Sequence, residues 1–330
     1  MAHDCQDAAR PSLIPRNVGV GSRVAEAPAP VSRASGNADA AVMPPTWLAD
    51  LLVLTKARAN VAVIATAVFG FALHSEVGSN LPRLFYLTLG TALLASGASM
   101  ANQAIEYQHD LKMARTRRRP IASGRLDRRT GFLLSALCCG LGGLCLAAGV
   151  NASAAIYGLL AYVVYVGIYT PLKRVSPACT LAGSVSGALP VLIGWAAADV
   201  APGVWAWVTF GLLYLWQVPH FMAIAWWRRE DYLGAGYRVL PRNDTAGIKT
   251  AVSAFIATLA VVAFSFAPAW AGAVGSGYAA GAFICGTFFS IPALRFLSER
   301  TGANARRLFL ASLIYLPAIF TLMWVCQKPS

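Results

Sequence analysis

Charge is what this chain has least of. Only 12% of its 330 residues are Asp, Glu, Lys or Arg, too few to clothe a water-soluble domain, and the 14 acids are outnumbered by 27 bases. An ordinary soluble enzyme is thereby excluded. The seven cysteines, at 5, 138, 139, 145, 179, 285 and 326, contain no CxxC pair, and most lie in apolar stretches. They read as small packing residues, not as disulfide partners or zinc ligands. Long polar inserts are missing as well: the longest internal polar loop has about two dozen residues, too short for a soluble domain. The net charge of +13 would suggest nucleic acid on a soluble chain, but here the bases fall between long apolar runs. That pattern is one of membrane loops, with no nucleic acid as partner.

Apolar stretches run over about 59–74, 84–105, 130–172, 175–198, 200–227, 250–294 and 308–327. A spanning helix needs roughly 20 such residues. Two stretches therefore hold two spans each, divided at Asn151 to Ser153 and at Pro268 to Gly272. The expectation is an all-α polytopic membrane protein of nine helices over residues 46–330. The first stretch is short, so its helix should begin upstream, near Trp47 to Leu54, and carry Lys56 and Arg58 at the interface, where long basic side chains snorkel. Residues 1–45 are rich in Ala, Pro, Ser and Arg without periodicity and read as a disordered cytoplasmic tail or a targeting extension, with no apolar signal core. Alternating the loops puts 25 of the 27 bases on one side, 19 of them in four internal loops. The positive-inside rule makes that side cytoplasmic, which places the N-terminus there and the C-terminus opposite.

Against this apolar background three polar constellations need a reason, because ionisable groups within a membrane are costly. All three fall at cytoplasmic helix ends. Asn102, Glu106 and Asp110 recur at i, i+4 and i+8, within about 80° of one helical face and roughly 6 Å apart in rise. They read either as a solvated acidic helix end or as hard oxygen ligands for Mg²⁺, an ion often shared with substrate phosphates. Lys112, Arg115, Arg117, Arg118 and Arg119 follow at once. Such a run is a topology signal by itself, and a polyanion pocket when it adjoins a metal site. Tyr169 and Lys173 are four residues apart and reach one ligand if the helix continues through Pro171; otherwise Tyr169 is an interfacial anchor and Lys173 with Arg174 are topology charges. His220, after Pro219, is followed by Glu230 and Asp231, a candidate second acidic site. On a continuous helix His220 lies roughly 15 Å from Glu230. It reads as a hydrogen-bonded helix residue or as an axial ligand to an iron porphyrin. Two acidic sites flanked by bases, in an apolar setting that excludes water from an allylic cation, suggest prenyl transfer from a lipid diphosphate.

The stretches NQAIEYQHDLKMARTRRRPIASG at 102–124, YTPLKR at 169–174, GALPVLIGWAA at 187–197 and PHFMAIAWWRREDYLGAG at 219–236, with TKAR at 55–58 and VLP at 239–241, resemble the UbiA-type intramembrane prenyltransferases. Within that family the resemblance is to the branch whose acceptor is heme, and it runs from about residue 50 to the C-terminus. It implies a nine-helix bundle with a central cavity open near the cytoplasmic side, Mg²⁺ as cofactor, farnesyl diphosphate as donor and a vinyl group of heme b as acceptor. Water adds to give a hydroxyethylfarnesyl side chain. Carried onto this chain, Asn102, Glu106 and Asp110 match the first metal motif, Tyr169 and Lys173 the YxxxK motif, Asp231 with Glu230 the second acidic region, and Arg115 and Arg119 the basic segment. Lys56, Arg58, Arg174 and His220 join them as candidate contacts to diphosphate or heme. The resemblance further implies a bacterial inner membrane or, alternatively, a mitochondrial one, with membrane lipid, heme A synthase or terminal-oxidase assembly factors as candidate partners. The chain departs from the family pattern at Gln108, usually an acid, at Ala57 and Arg238, each usually proline, and at Cys179, usually asparagine. Two other readings stay open: prenylation of an aromatic or quinone precursor, and a non-catalytic transporter or assembly protein.

Overall fold

The computed structural model describes residues 46–75, 80–200, 203–241 and 243–327, all within one compact unit, Pro45–Ser330. The extension expected over 1–45 lies outside the described residues. The chain forms α1 (Trp47–Leu54), α2 (Ala57–Ala72), α3 (Leu81–Asp110), α4 (Arg128–Gly149) and α5 (Ala152–Val163), which continues through a π-helical turn (Val164–Tyr169) into α6 (Thr170–Leu172). Then come α7 (Cys179–Ala197), α8 (Val204–Trp227), α9 (Arg229–Gly234), α10 (Ile248–Phe264), α11 (Ala267–Trp270), α12 (Ser276–Ser298) and α13 (Gly302–Val325). Among the described residues eight helical segments are long and apolar enough to cross a membrane, and the bent pair α1–α2 makes a ninth when counted as one span. The protein is an integral membrane protein. Both expected divisions occur where they were read: Asn151 caps α5, its side chain accepting from Ala154 N, and α11 separates α10 from α12.

The first span corrects its expectation. It is not one helix with two snorkelling bases, since α1 and α2 meet at 49° and Lys56, at the break, has φ 50. A non-glycine residue in the left-handed region costs on the order of 1 kcal/mol or more and persists only where its surroundings hold it. Here Gln103 Nε2 donates to the carbonyls of Val53 and Leu54 at 3.1 and 2.8 Å, and Asn60 Nδ2 donates to Thr55 O at 2.7 Å. The carbonyls freed by the break are thus satisfied inside the bundle, as an apolar environment demands. Lys56 consequently turns inward, while Arg58 remains exposed.

The span from Ala152 does continue through Pro171. Proline has no N–H and its ring collides with the preceding turn; the π-helical turn over Val164–Tyr169 absorbs this, and Thr170 Oγ1 donates to Tyr165 O at 2.8 Å. α7 is the central helix, with buried residues from Cys179 to Ala197 on almost every side. It lies against α2 backbone to backbone: a Cβ on Gly194 would sit 1.7 Å from Ala67 O, and one on Gly70 would sit 2.2 Å from Val191 O. Small residues permit this approach, which supplies packing where lipid removes the hydrophobic drive. On the outside, Leu133, Leu137, Leu141 and Leu144 form an exposed stripe along α4, an arrangement suited to lipid.

Candidate active site

Asn102, Glu106 and Asp110 are 1%, 3% and 1% exposed, which rules out a solvated helix end. α3 and the α5–α6 span run side by side toward the same end of the bundle, so their i+4 periods stay in step. Asn102 Nδ2 donates to Thr170 Oγ1 at 3.1 Å, and Glu106 Oε1 lies 2.5 Å from Lys173 Nζ. Each oxygen of the ladder faces a cation of the chain. Lys56 Nζ donates to Asn102 Oδ1 at 2.9 Å and to Tyr165 Oη at 3.1 Å. Arg119 Nη1 donates to both oxygens of Asp110, at 2.9 and 2.8 Å, and Thr116 Oγ1 donates to Asp110 O at 3.0 Å. Two carboxylates against three cations leave the site with a surplus of positive charge. Burial pushes the Lys173 ammonium down, but the Glu106 carboxylate beside it more than offsets this and holds Lys173 well above the usual lysine value.

A cavity of about 280 Å³ lies between α2, α3, α5, α7 and α8; the ladder residues are outside its wall and meet it through Lys56, which bonds Asn102, and Tyr169, whose ring faces Lys173. Lys56, Asn60, Tyr165 and Tyr169 line its polar mouth, and Leu94, Gly158 and Ile193 its apolar depth. Lys173 Nζ also lies 4.7 Å from the centre of the Tyr169 ring, so that ring face already accommodates a positive charge. Behind the ladder, Arg174 Nη2 donates to Ile105 O at 2.7 Å, and its Nε is buried without a partner.

Not every expected residue converges here. Arg115 and Arg58 are exposed. The Glu230 side chain is 89% exposed and has Arg229 as its ion-pair partner at 3.5 Å, while Asp231 is half-buried in the first turn of α9. His220 is a hydrogen-bonded helix residue: Nδ1 lies 2.8 Å from Ser312 Oγ of α13, and the ring packs on Trp216 and Phe309. Its neighbour Phe221 lines the cavity instead.

Sequence reasoning missed Tyr165, Asn60, Gln103 and Thr170. Tyr165 had a usable signal, since Tyr165, Tyr169 and Lys173 repeat the i, i+4, i+8 spacing of the acidic ladder. The other three act on backbone freed by a helix break, which no spacing announces.

A metal fits the first ladder by its donor chemistry. Among the described residues no three His, Cys, Asp or Glu side chains gather as a metal cluster. Two carboxylates and an amide oxygen are therefore the available set, suited to a hard ion that completes its shell with water and phosphate. Glu106 Oε1 is buried with the Lys173 ammonium 2.5 Å away, so this carboxylate already sits against a positive charge that a metal would replace.

This bundle, with its buried oxygen ladder at the mouth of an apolar cavity, is that of an intramembrane prenyltransferase: residues 63–316 match the UbiA prenyltransferase family, and the chain belongs to it. It is 39% identical over 272 residues to the protoheme IX farnesyltransferase of Opitutus terrae, covering 82% of this chain and 92% of that one. It is 38% identical over 280 residues to the protoheme IX farnesyltransferase of Salinibacter ruber, covering 84% and 98%. Among solved structures, digeranylgeranylglyceryl phosphate synthase superposes with a TM-score of 0.71 at 16% identity, over 84% of this chain and 98% of that one. A UbiA homolog from Archaeoglobus fulgidus bound to GPP and Mg²⁺ superposes at 0.62 and 13% identity, over 83% and 99%. At such identities the superpositions speak for the fold alone.

Proposed function

We propose that this chain transfers the farnesyl group of farnesyl diphosphate to a vinyl group of heme b, with addition of water, releasing diphosphate and forming heme O. The observation that carries the reading is the buried ladder in which Asn102, Glu106 and Asp110 each face a cation, at the mouth of an apolar cavity. Its relatives named protoheme IX farnesyltransferase supply the acceptor.

Asn102, Glu106 and Asp110 would hold Mg²⁺, which when bound neutralises diphosphate charge as the leaving group departs. Lys56, Lys173 and Arg119, which now face those oxygens, then turn to the diphosphate, with Arg174 behind them. The prenyl tail lies in the cavity toward Leu94 and Ile193, where apolar walls exclude water from the allylic centre. The faces of Tyr165 and Tyr169 at the mouth stabilise positive charge there by the quadrupole attraction that Lys173 already exploits. Arg115 and Arg58, both exposed, add to the positive field that draws the anionic donor in. Asp231 and Glu230 are kept as candidates for a second ion that approaches with the substrate. The basic loops support a cytoplasmic orientation for this mouth, and the bacterial relatives support a bacterial inner membrane, with a mitochondrial inner membrane as the alternative.

The test is turnover by purified protein given farnesyl diphosphate and Mg²⁺ with heme b or, in a parallel reaction, with an aromatic acid, read by mass. A heme heavier by farnesyl plus water, absent with a chelator, is expected. Diphosphate release with unmodified heme, and a prenylated aromatic acid in its place, would overturn the assignment of acceptor.

A further inference from the structure

A second and larger cavity, about 650 Å³, lies outside the prenyl cavity, between the loop after α6, the end of α8, α9 and the segment leading to α10. Trp226, Arg229, Tyr232, Tyr237, Arg238 and Leu240 belong to its wall. Tyr237 is the link to the ladder: its ring centre lies 5.6 Å from Lys173 Nζ, and its ring packs against His109 at 5.0 Å. The loop is tied in at the same point, where Arg238 N donates to Lys173 O at 2.8 Å.

Two observations indicate a ligand here. Tyr237, in the cavity wall, has its Oη buried without a hydrogen-bond partner, which is costly unless something else completes it; His109, which packs on the Tyr237 ring but is not part of the wall, has an unpartnered Nδ1 as well. The two guanidinium groups are also uncommitted. Arg238 makes no side-chain hydrogen bond or ion pair among the described residues, and Arg229 has only the exposed Glu230 at 3.5 Å, with its guanidinium over the Trp226 ring at 4.9 Å. The aromatic and apolar wall residues and the two cations suit a planar macrocycle that carries carboxylates on one edge; the carboxylate of the wall, Asp244, is already engaged by Lys249 N, Thr250 N and Thr250 Oγ1.

We infer that this cavity binds the acceptor porphyrin, with Arg229 and Arg238 holding its two propionates and the opposite, vinyl-bearing edge directed past Tyr237 toward Lys173 and Glu106. The inference rests on the heme reading above and adds to it a subsite and an orientation.

The experiment titrates purified full-length protein with heme b and with its dimethyl ester, following the heme absorbance, in the wild type, Arg238→Gln, Arg229→Gln and the charge-preserving Arg238→Lys. Wild type should prefer the diacid by about tenfold or more, the scale of a charge-assisted pair. Arg238→Gln and Arg229→Gln should each erase most of that preference and raise KM for heme b, with KM for farnesyl diphosphate unchanged, and Arg238→Lys should restore much of it. Equal affinity of wild type for acid and ester, or a preference that survives both glutamine variants, would overturn the subsite while leaving the farnesyl transfer reading intact. Competition of inorganic diphosphate with heme b for this cavity would also overturn it. Failure of wild type to bind or farnesylate heme at all would remove the function reading and this inference together.

Discussion

The two halves of the bundle use similar amino acids to opposite ends. In the half built on α2, α3, α5 and α7, glycine and alanine line a cavity, and Asn102, Glu106 and Lys173 are buried at its mouth. In the half built on α8, α10, α12 and α13, large rings close the space: Phe289 stacks on Tyr315 at 4.7 Å, and Tyr278 and Phe296 are fully buried beside them. The first half leaves room within the bundle for a prenyl chain and accepts the cost of buried charge; the second is filled among its helices and opens only at the end of α8 and α9, where the larger cavity lies. Activity and stability should therefore respond separately to substitutions in the two halves.

Replacing Glu106 with Gln should have the largest effect, lowering turnover by about 10²-fold or more, as expected for a group that acts on developing charge; it also leaves Lys173 buried without its carboxylate, so the unfolding temperature should fall as well. Turnover kept within a few fold of wild type, at a temperature where the variant is folded, would make Glu106 a purely structural residue. Gly158→Val narrows the cavity where an added Cβ already lies 2.6 Å from Leu94 Cδ1. The ratio of kcat/KM for geranyl over farnesyl diphosphate should rise about tenfold; an unchanged ratio would separate the prenyl tail from this cavity. Phe289→Ala, in the filled half, should cost about 3–5 kcal/mol and leave KM for farnesyl diphosphate within about twofold. Thermal melts beside initial-rate assays would separate the two effects.

Two predictions concern pH. The Lys173 value is raised, so its contribution is complete below the ordinary lysine value and is lost only as pH rises through the still higher folded value. No loss of turnover between about pH 6 and 9 should then trace to Lys173, and a pH profile of Lys173→Arg against wild type checks this. At the far end of the bundle, a hydrogen bond from Arg83 holds the Asp199 carboxyl below its usual range. The pair is half-exposed, so Asp199→Asn should cost less than about 1 kcal/mol. Because the folded value is depressed, that difference should be constant near neutrality and shrink as pH falls through it; melts at descending pH would show the trend.

Much of this was legible in the chain. The apolar stretches and the dividing Asn151 and Pro268 to Gly272 mark the helices because spanning length and helix breakers are local properties. The oxygen ladder was legible because a period of four on one helix is itself geometry. What stayed hidden depends on two segments at once. The break at Lys56 exists because Gln103 and Asn60 satisfy its carbonyls, and the inward turn of Lys56 follows from that break. His220 faces α13 because Ser312 is there to meet it. Arg58, Arg115 and Glu230 are exposed and stand apart from the buried ladder, a distinction that depends on burial, which spacing along the chain does not carry.

The most direct test of the central claim is a mass analysis of hemes extracted from host membranes that lack their own heme O, with wild type and Glu106→Gln expressed at matched levels. The account predicts a heme heavier by farnesyl plus water with wild type and only heme b with the variant. Equal amounts of the heavier heme from both would contradict it, because the buried ladder would then have no part in the chemistry.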